Sequence, residues 1–272
     1  MGRKERDEVS RRKFLEVGPA AVVATSGLLS MPAISDAQTA QQSRTMTMIT
    51  SDYTARFSKE DTALLLIDHQ SGTMQLNHDP TPVEFRSAVI ALAKVGKIFN
   101  LPTILTSNFE TGPNGPIIQE LFDLHPNALV IRRPGQISAW DDDEFVAAVK
   151  ATGRKNLIMA GVTCQVCLAF PAMQAAAEGF NVYGAIDASG SPDAAAREMT
   201  VARLVSHGVT PVNWVMVASE LQRDWRLPTG PALSQLFHEH NPNYGMRSWT
   251  PSRRTPDRRL PNESGRKHLS NE

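Results

Sequence analysis

The segment "KNLIMAGVTCQVCLAFPAMQAAAEGFNVYGAID", Lys155–Asp187, decides the fold. Its opening, "KNLIMAGV", is a short continuous apolar run, the pattern of a strand buried on both faces. "CQVCLAFPAMQAAAEG" reads as a helix that Gly179 stops, and "FNVYGAID" is a second buried strand. Two such strands joined through a helix lie parallel, because the crossover returns the chain to the same end of the sheet.

The same alternation extends both ways. "TALLLID" (Thr62–Asp68) is a strand, and "PVEFRSAVIALAKVGKIFN" a helix with Phe85, Val89, Leu92 and Val95 on one face. "LPTILTSN", "PIIQELFDLH", "ALVIRR" and "DDDEFVAAVKATG" continue as strand, helix, strand, helix, the last with acidic residues at its start and Gly153 at its end. After the central unit, "SPDAAAREMTVARLVSHG" reads as a helix opened by Ser191 and Pro192 and closed by Gly208. "VTPVNW" begins a sixth unit that runs to Trp225. Six strand–helix units predict one α/β domain over 54–227, around a mainly parallel six-stranded sheet. Beyond it, 228–272 is a C-terminal extension, with a helical turn over Gln235–His240 and disorder after about 250, where Pro, Ser and Arg dominate.

With 28 basic and 28 acidic residues in 272, the chain has no net charge and no electrostatic reason to bind nucleic acid or an anionic membrane. A small-molecule substrate fits better. Residues 1–37 carry Arg11 and Arg12, a weakly apolar stretch and small residues near Ser35 and Ala37, and resemble a twin-arginine export signal. The apolar stretch is broken by Gly18, Pro19 and Gly27 and falls short of the ~20 residues a membrane span needs, so cleavage is expected rather than stable insertion. The expected address is the periplasm, with 38–53 a polar linker.

In a doubly wound sheet, ligands bind beyond the carboxyl ends of the strands, where strand order reverses. Asp68 ends the first strand, Arg133 follows the third, and Cys167 follows the fourth. With strand order 3-2-1-4-5-6, Asp68 and Cys167 are neighbours across the reversal, and Arg133 reaches the same crevice. Cys167 also falls in the first turn of its helix, where free N–H groups and the dipole are expected to lower a thiol pKa that starts at about 8.5. A carboxylate to take its proton and a guanidinium to hold charge would complete a nucleophilic site. Glu110, Asn114 and Gln136, in post-strand loops, are candidate substrate-binding residues.

"LLLIDHQSG", "TILTSNFETGPNGPI", "RPGQISAWDDDEF", "AGVTCQVCLAFPAM" and "DASGS", spread over about 61–225, resemble the isochorismatase-like cysteine hydrolases, and specifically their YcaC-like branch. The resemblance implies a three-layer α/β/α fold and a triad carried here by Asp68, Arg133 and Cys167. It also implies a cis peptide at Val162–Thr163, an oxyanion hole from the N–H groups of Thr163 and Cys167, and assembly into homo-oligomers, often octamers. Two positions depart from the family. Arg133 stands where Lys is usual, and arginine does not give up its proton, leaving Asp68 as the sole proton carrier. Cys164 stands where small or hydroxyl residues are usual.

Other readings compete. A Cys164–Cys167 zinc half-site lacks a second ligand pair, and no Asp-x-His metal cluster appears near Ser107–Glu110, so neither metal nor cofactor is expected. A Cys-x-x-Cys at a helix start is also the thioredoxin-type redox arrangement, against which the six-unit alternation argues. A reversible disulfide that silences Cys167 remains open, as does a periplasmic oligomeric binding or scaffold protein with a vestigial site. Amide C–N hydrolysis is the first reading, ahead of isochorismate-type ether cleavage. Taken singly, Asp68 reads as a helix cap, Arg133 as a surface ion pair, "DASGS" as a helix-opening turn, and Trp140, Trp214 and Trp225 as core; Asp68, Arg133 and Cys167 point to function together.

Overall fold

The computed structural model describes residues 56–241, Asn243 and Tyr244. The leader expected over 1–37, the linker over 38–53 and the tail after about 250 lie outside the described residues. Six strands, β1 (Thr62–Ile67), β2 (Thr103–Asn108), β3 (Leu129–Arg133), β4 (Asn156–Gly161), β5 (Asn181–Ala185) and β6 (Thr210–Val212), form one sheet in the order β3-β2-β1-β4-β5-β6. Every pair is parallel. The helices are α1 (Pro82–Ile98), α2 (Gln119–Leu124), α3 (Asp143–Ala151), α4 (Ala169–Ala177), α5 (Ala194–Ser206), α6 (Trp214–Gln222) and α7 (Gly230–His240). Among the described residues no helix is long and apolar enough to cross a membrane.

Strand alternation divides the core into two halves. Leu64 and Leu66 of β1 and Ile158 and Ala160 of β4 face α1, α6 and α7, packing with Phe85, Leu92, Trp214 and Phe237. Ala63, Leu65 and Ile67 of β1 and Leu157 and Met159 of β4 face the other way, onto Phe145, Ala172 and Leu204 of α3, α4 and α5. Both faces are covered, which is why every residue of β1 and β4 is buried and the sequence reads as unbroken apolar runs.

Local chemistry sets the helix ends. Thr81 and Glu84 form a reciprocal capping box with Pro82 at the first position of α1, and the Asp142 carboxylate accepts the Phe145 N–H at the start of α3. Two ends differ from expectation. The α5 cap is Asp193, not the Ser191–Pro192 pair, because the backbone of Ser191 is committed to Asp79 at 2.8 and 3.0 Å. The turn expected over Gln235–His240 is part of an eleven-residue helix, since Leu233, Leu236 and Phe237 repeat at helical spacing and are buried. Trp140 and Trp214 are core residues, whereas Trp225 is half exposed and stacks on Tyr244.

Between β4 and α4 the chain makes a π-helical turn, Cys164–Leu168, that carries Cys167 directly over the end of β4. The close approach depends on Gly161. A Cβ there would lie 2.4 Å from the Cys167 carbonyl oxygen and 2.6 Å from the Leu168 nitrogen. Both are backbone atoms, which cannot rotate away. Gly161→Ala is expected to cost about 1–3 kcal/mol of stability, read as a lower urea midpoint, because the π-helical turn must lift off the strand.

Candidate active site

Alternation along β1 would send Asp68, one residue past Ile67, to the α1 face. Its carboxylate instead meets Arg133, and Arg133 shares its side of the sheet with Ile131 on the α4 face. The backbone explains the switch: Asp68 takes φ +58, in the left-handed region that costs a side-chain-bearing residue about 1–2 kcal/mol. Three hydrogen bonds hold it there. The Asp68 N–H donates to Thr106 O at 2.9 Å, and the Asp68 carbonyl accepts from the Gln70 N–H at 2.8 Å and the Thr73 hydroxyl at 2.7 Å.

Arg133 is the largest fully buried side chain of the fold, and its donors are spoken for. Nη2 donates to both Asp68 oxygens, one at 2.5 Å, Nε donates to Thr106 Oγ1 at 3.1 Å, and Nη1 donates to the Gln136 carbonyl. Burial pushes the Asp68 carboxyl above its ordinary range, opposed by the Arg133 charge and its hydrogen bond.

The Cys167 thiol is half-buried and lies close enough to the Asp68 carboxylate to feel its charge. Its pKa is raised, first by burial and then by the neighbouring Asp68 charge; Arg133 pulls the other way and is outweighed. The expectation of a thiolate stabilised by a helix start is therefore corrected: at rest the sulfur keeps its proton. Cys164 is also a free thiol, buried, its pKa raised by that burial, and its Sγ donates to Gln165 Oε1 at 3.7 Å.

The Val162–Thr163 peptide is cis. The Cys167 N–H donates to Thr163 O at 2.9 Å, while the Thr163 N–H has no acceptor among the described residues. The three loop candidates stand differently. Gln136 meets Arg133 through its carbonyl, and its side-chain amide donates to Asp142 at 3.2 Å. Glu110 is paired with Arg132, and the Asn114 amide donates to Asn108 O at 2.9 Å. Among the described residues no three His, Cys, Asp or Glu side chains gather to hold a metal.

The residues that brace these loops carry no local signal in the sequence. Gln70, fully buried, exchanges hydrogen bonds with the backbone of Asn108 at 2.9 and 3.1 Å and ties the β1 loop to the β2 loop. The "DASGS" segment links the loops after β1 and β4: Gly190 O accepts the Cys164 N–H, Ser189 Oγ accepts the Gly161 N–H, and Ala188 O accepts from His69 Nε2. Asp187 opens no helix of its own segment; its carboxylate accepts the Trp214 N–H at the start of α6. Its burial raises its pKa to about 6.

Residues 62–216 match the Isochorismatase domain model. The chain is 49% identical over 189 residues to "Probable hydrolase YcaC" of Escherichia coli (strain K12), a match spanning 70% of this chain and 90% of that protein. Two solved structures superpose with TM-scores of 0.70. YcaC from Pseudomonas aeruginosa, with hexane-2,5-diol and covalent acrylamide, is 45% identical, over 73% of this chain and 99% of that one. E. coli YcaC, described as an octameric hydrolase of unknown specificity, is 48% identical, over 74% and 98%. The chain belongs to the isochorismatase family. Within it, the chain falls in the YcaC-like hydrolase branch.

Asp187 also sets a pH dependence. Its folded pKa of about 6 lies above the ordinary 3.8, so its contribution to stability is complete below pH 3.8 and is lost as pH rises through about 6. Asp187→Asn keeps an acceptor for Trp214. It is expected to match the parent in urea unfolding near pH 4 and to exceed it by up to about 3 kcal/mol above pH 7.

Proposed function

We propose that the protein hydrolyses a C–N bond of a small amide, with Cys167 as nucleophile, Asp68 as base and Arg133 as the group that holds Asp68 ionised and oriented. The observation that carries this is the Cys167 thiol set beside the Asp68 carboxylate, which is itself buried against a guanidinium with no exposed surface. Because the resting thiol is protonated, attack and deprotonation go together. The sulfur bonds to the carbonyl carbon as its proton passes to Asp68, whose raised pKa makes it a better acceptor than an ordinary carboxylate. The carbonyl oxygen takes the negative charge facing the Thr163 N–H. The Cys167 N–H joins it on giving up its bond to Thr163 O. Asp68 then returns the proton to the departing nitrogen, and water hydrolyses the thioester.

The covalent acrylamide in the Pseudomonas relative is in keeping with an electrophile-accepting site. In the same proposal the chain is a homo-oligomer, as its octameric E. coli relative is, and residues 1–37 direct it to the periplasm. Sedimentation of the purified protein and N-terminal sequencing of the exported form check those two points.

A second reading is favoured by the raised Cys167 pKa, which a retired site in an oligomeric binding protein would also show. Ammonia release from a panel of small aliphatic amides separates the two. The hydrolase reading expects turnover that falls at least ~1,000-fold in Cys167→Ala and in Asp68→Asn, with the fold retained. Turnover that survives Cys167→Ala would rule out the thiol mechanism.

A further inference from the structure

Resting on Cys167 as the nucleophile, we propose that this site takes small uncharged substrates with an apolar body and rejects carboxylates. Among the described residues, the loops and opening helical turns at the carboxyl edge of the sheet contain no lysine, and the arginines at the strand ends and opening turns of this edge are Arg86, Arg132, Arg133 and Arg197. Arg133 is buried and its donors are directed to Asp68, Thr106 and Gln136. Arg132 is paired with Glu110 at 3.2 Å and Arg197 with Asp79 at 2.8 Å. Arg86, at the start of α1, is paired with Glu120 of α2. Each guanidinium at this edge is therefore neutralised by a carboxylate of the chain itself.

A substrate carboxylate entering the crevice would meet Asp68 and no unmatched cation. It would have to shed water without a counter-ion or displace an existing pair, and both oppose binding.

The rim supplies the complementary feature. Phe109 and Ile137 follow β2 and β3 on adjacent loops and are 52% and 62% exposed. Phe109 takes φ +50, again left-handed for a residue with a side chain, and its N–H donates to Arg133 O at 3.1 Å. Its ring lies over Gly112, where a Cβ would come within 2.3 Å of ring carbons, so the aromatic packs on the loop surface. The loops are joined beneath by Asn108 Nδ2 donating to Gln136 O at 3.1 Å. An exposed aromatic in an uncommon backbone conformation, beside an aliphatic neighbour and neutralised arginines, is a surface for an uncharged body.

Iodoacetamide and iodoacetate test this without knowledge of the natural substrate. They are nearly the same size and differ in charge at neutral pH. Both form an S–C bond to the thiol and expel iodide, the thiol proton passing to Asp68. Labelling rates at Cys167 would be measured on the full-length protein, resolved from Cys164 by peptide mass spectrometry, and divided by the rates with free cysteine. The expected preference for iodoacetamide, after that normalisation, is about tenfold or more, since the anion finds no partner. A smaller preference, or a preference for iodoacetate, would overturn the proposal. If neither reagent labels Cys167 in the folded chain while both label it in urea, the nucleophile reading itself fails, and the proposal with it.

Discussion

The buried ion pair between Asp68 and Arg133 is the constraint around which the carboxyl edge of the sheet is built. Two opposite charges removed from water cost several kcal/mol each unless every lone pair and proton is matched, and here the matching recruits three strands. Thr106 of β2 takes the Arg133 Nε proton, Gln136 beyond β3 takes another through its carbonyl, and the turn after β1 bends through a left-handed residue to present the carboxylate. Thr73 and Gln70 hold that turn by the Asp68 carbonyl. The pair thus fixes the spacing of the β1, β2 and β3 loops, and Cys167 joins it from β4 only because Gly161 has no side chain.

The same pair governs the chemistry of the sulfur. A helix start alone favours a thiolate, but partial dipole charges at the surface of a turn are smaller than a full carboxylate charge close by in poorly solvated surroundings. The carboxylate therefore keeps the proton on the thiol. Arginine in place of lysine reinforces this arrangement. A lysine could surrender its proton and leave the carboxylate unmatched, whereas a guanidinium stays charged and satisfies several acceptors from one plane.

Much of the fold was legible in the sequence because a sheet covered on both faces leaves a simple trace: short apolar runs alternating with amphipathic ones, punctuated by glycine. Gly179 and Gly208 both adopt positive φ at helix ends, as their positions implied. The strand order 3-2-1-4-5-6, one of those a doubly wound sheet allows, is the order the sheet adopts. Boundaries were less legible where a distant partner competed for a local signal. Ser191 looks like a helix cap, yet Asp79, more than a hundred residues away, claims its backbone.

The site divides along the same line. The sequence by itself determined which strand ends carry Asp68, Arg133 and Cys167, because residue type and position after a strand are local properties. Only the tertiary structure decided that Asp68 turns through the left-handed region to cross to the α4 face. Only it decided that Glu110, Asn114 and Gln136 spend their side chains on neighbours, and that the Cys167 proton stays on sulfur. Those outcomes depend on burial and on charges brought together from separate strands, and both exist only once the chain has closed around them.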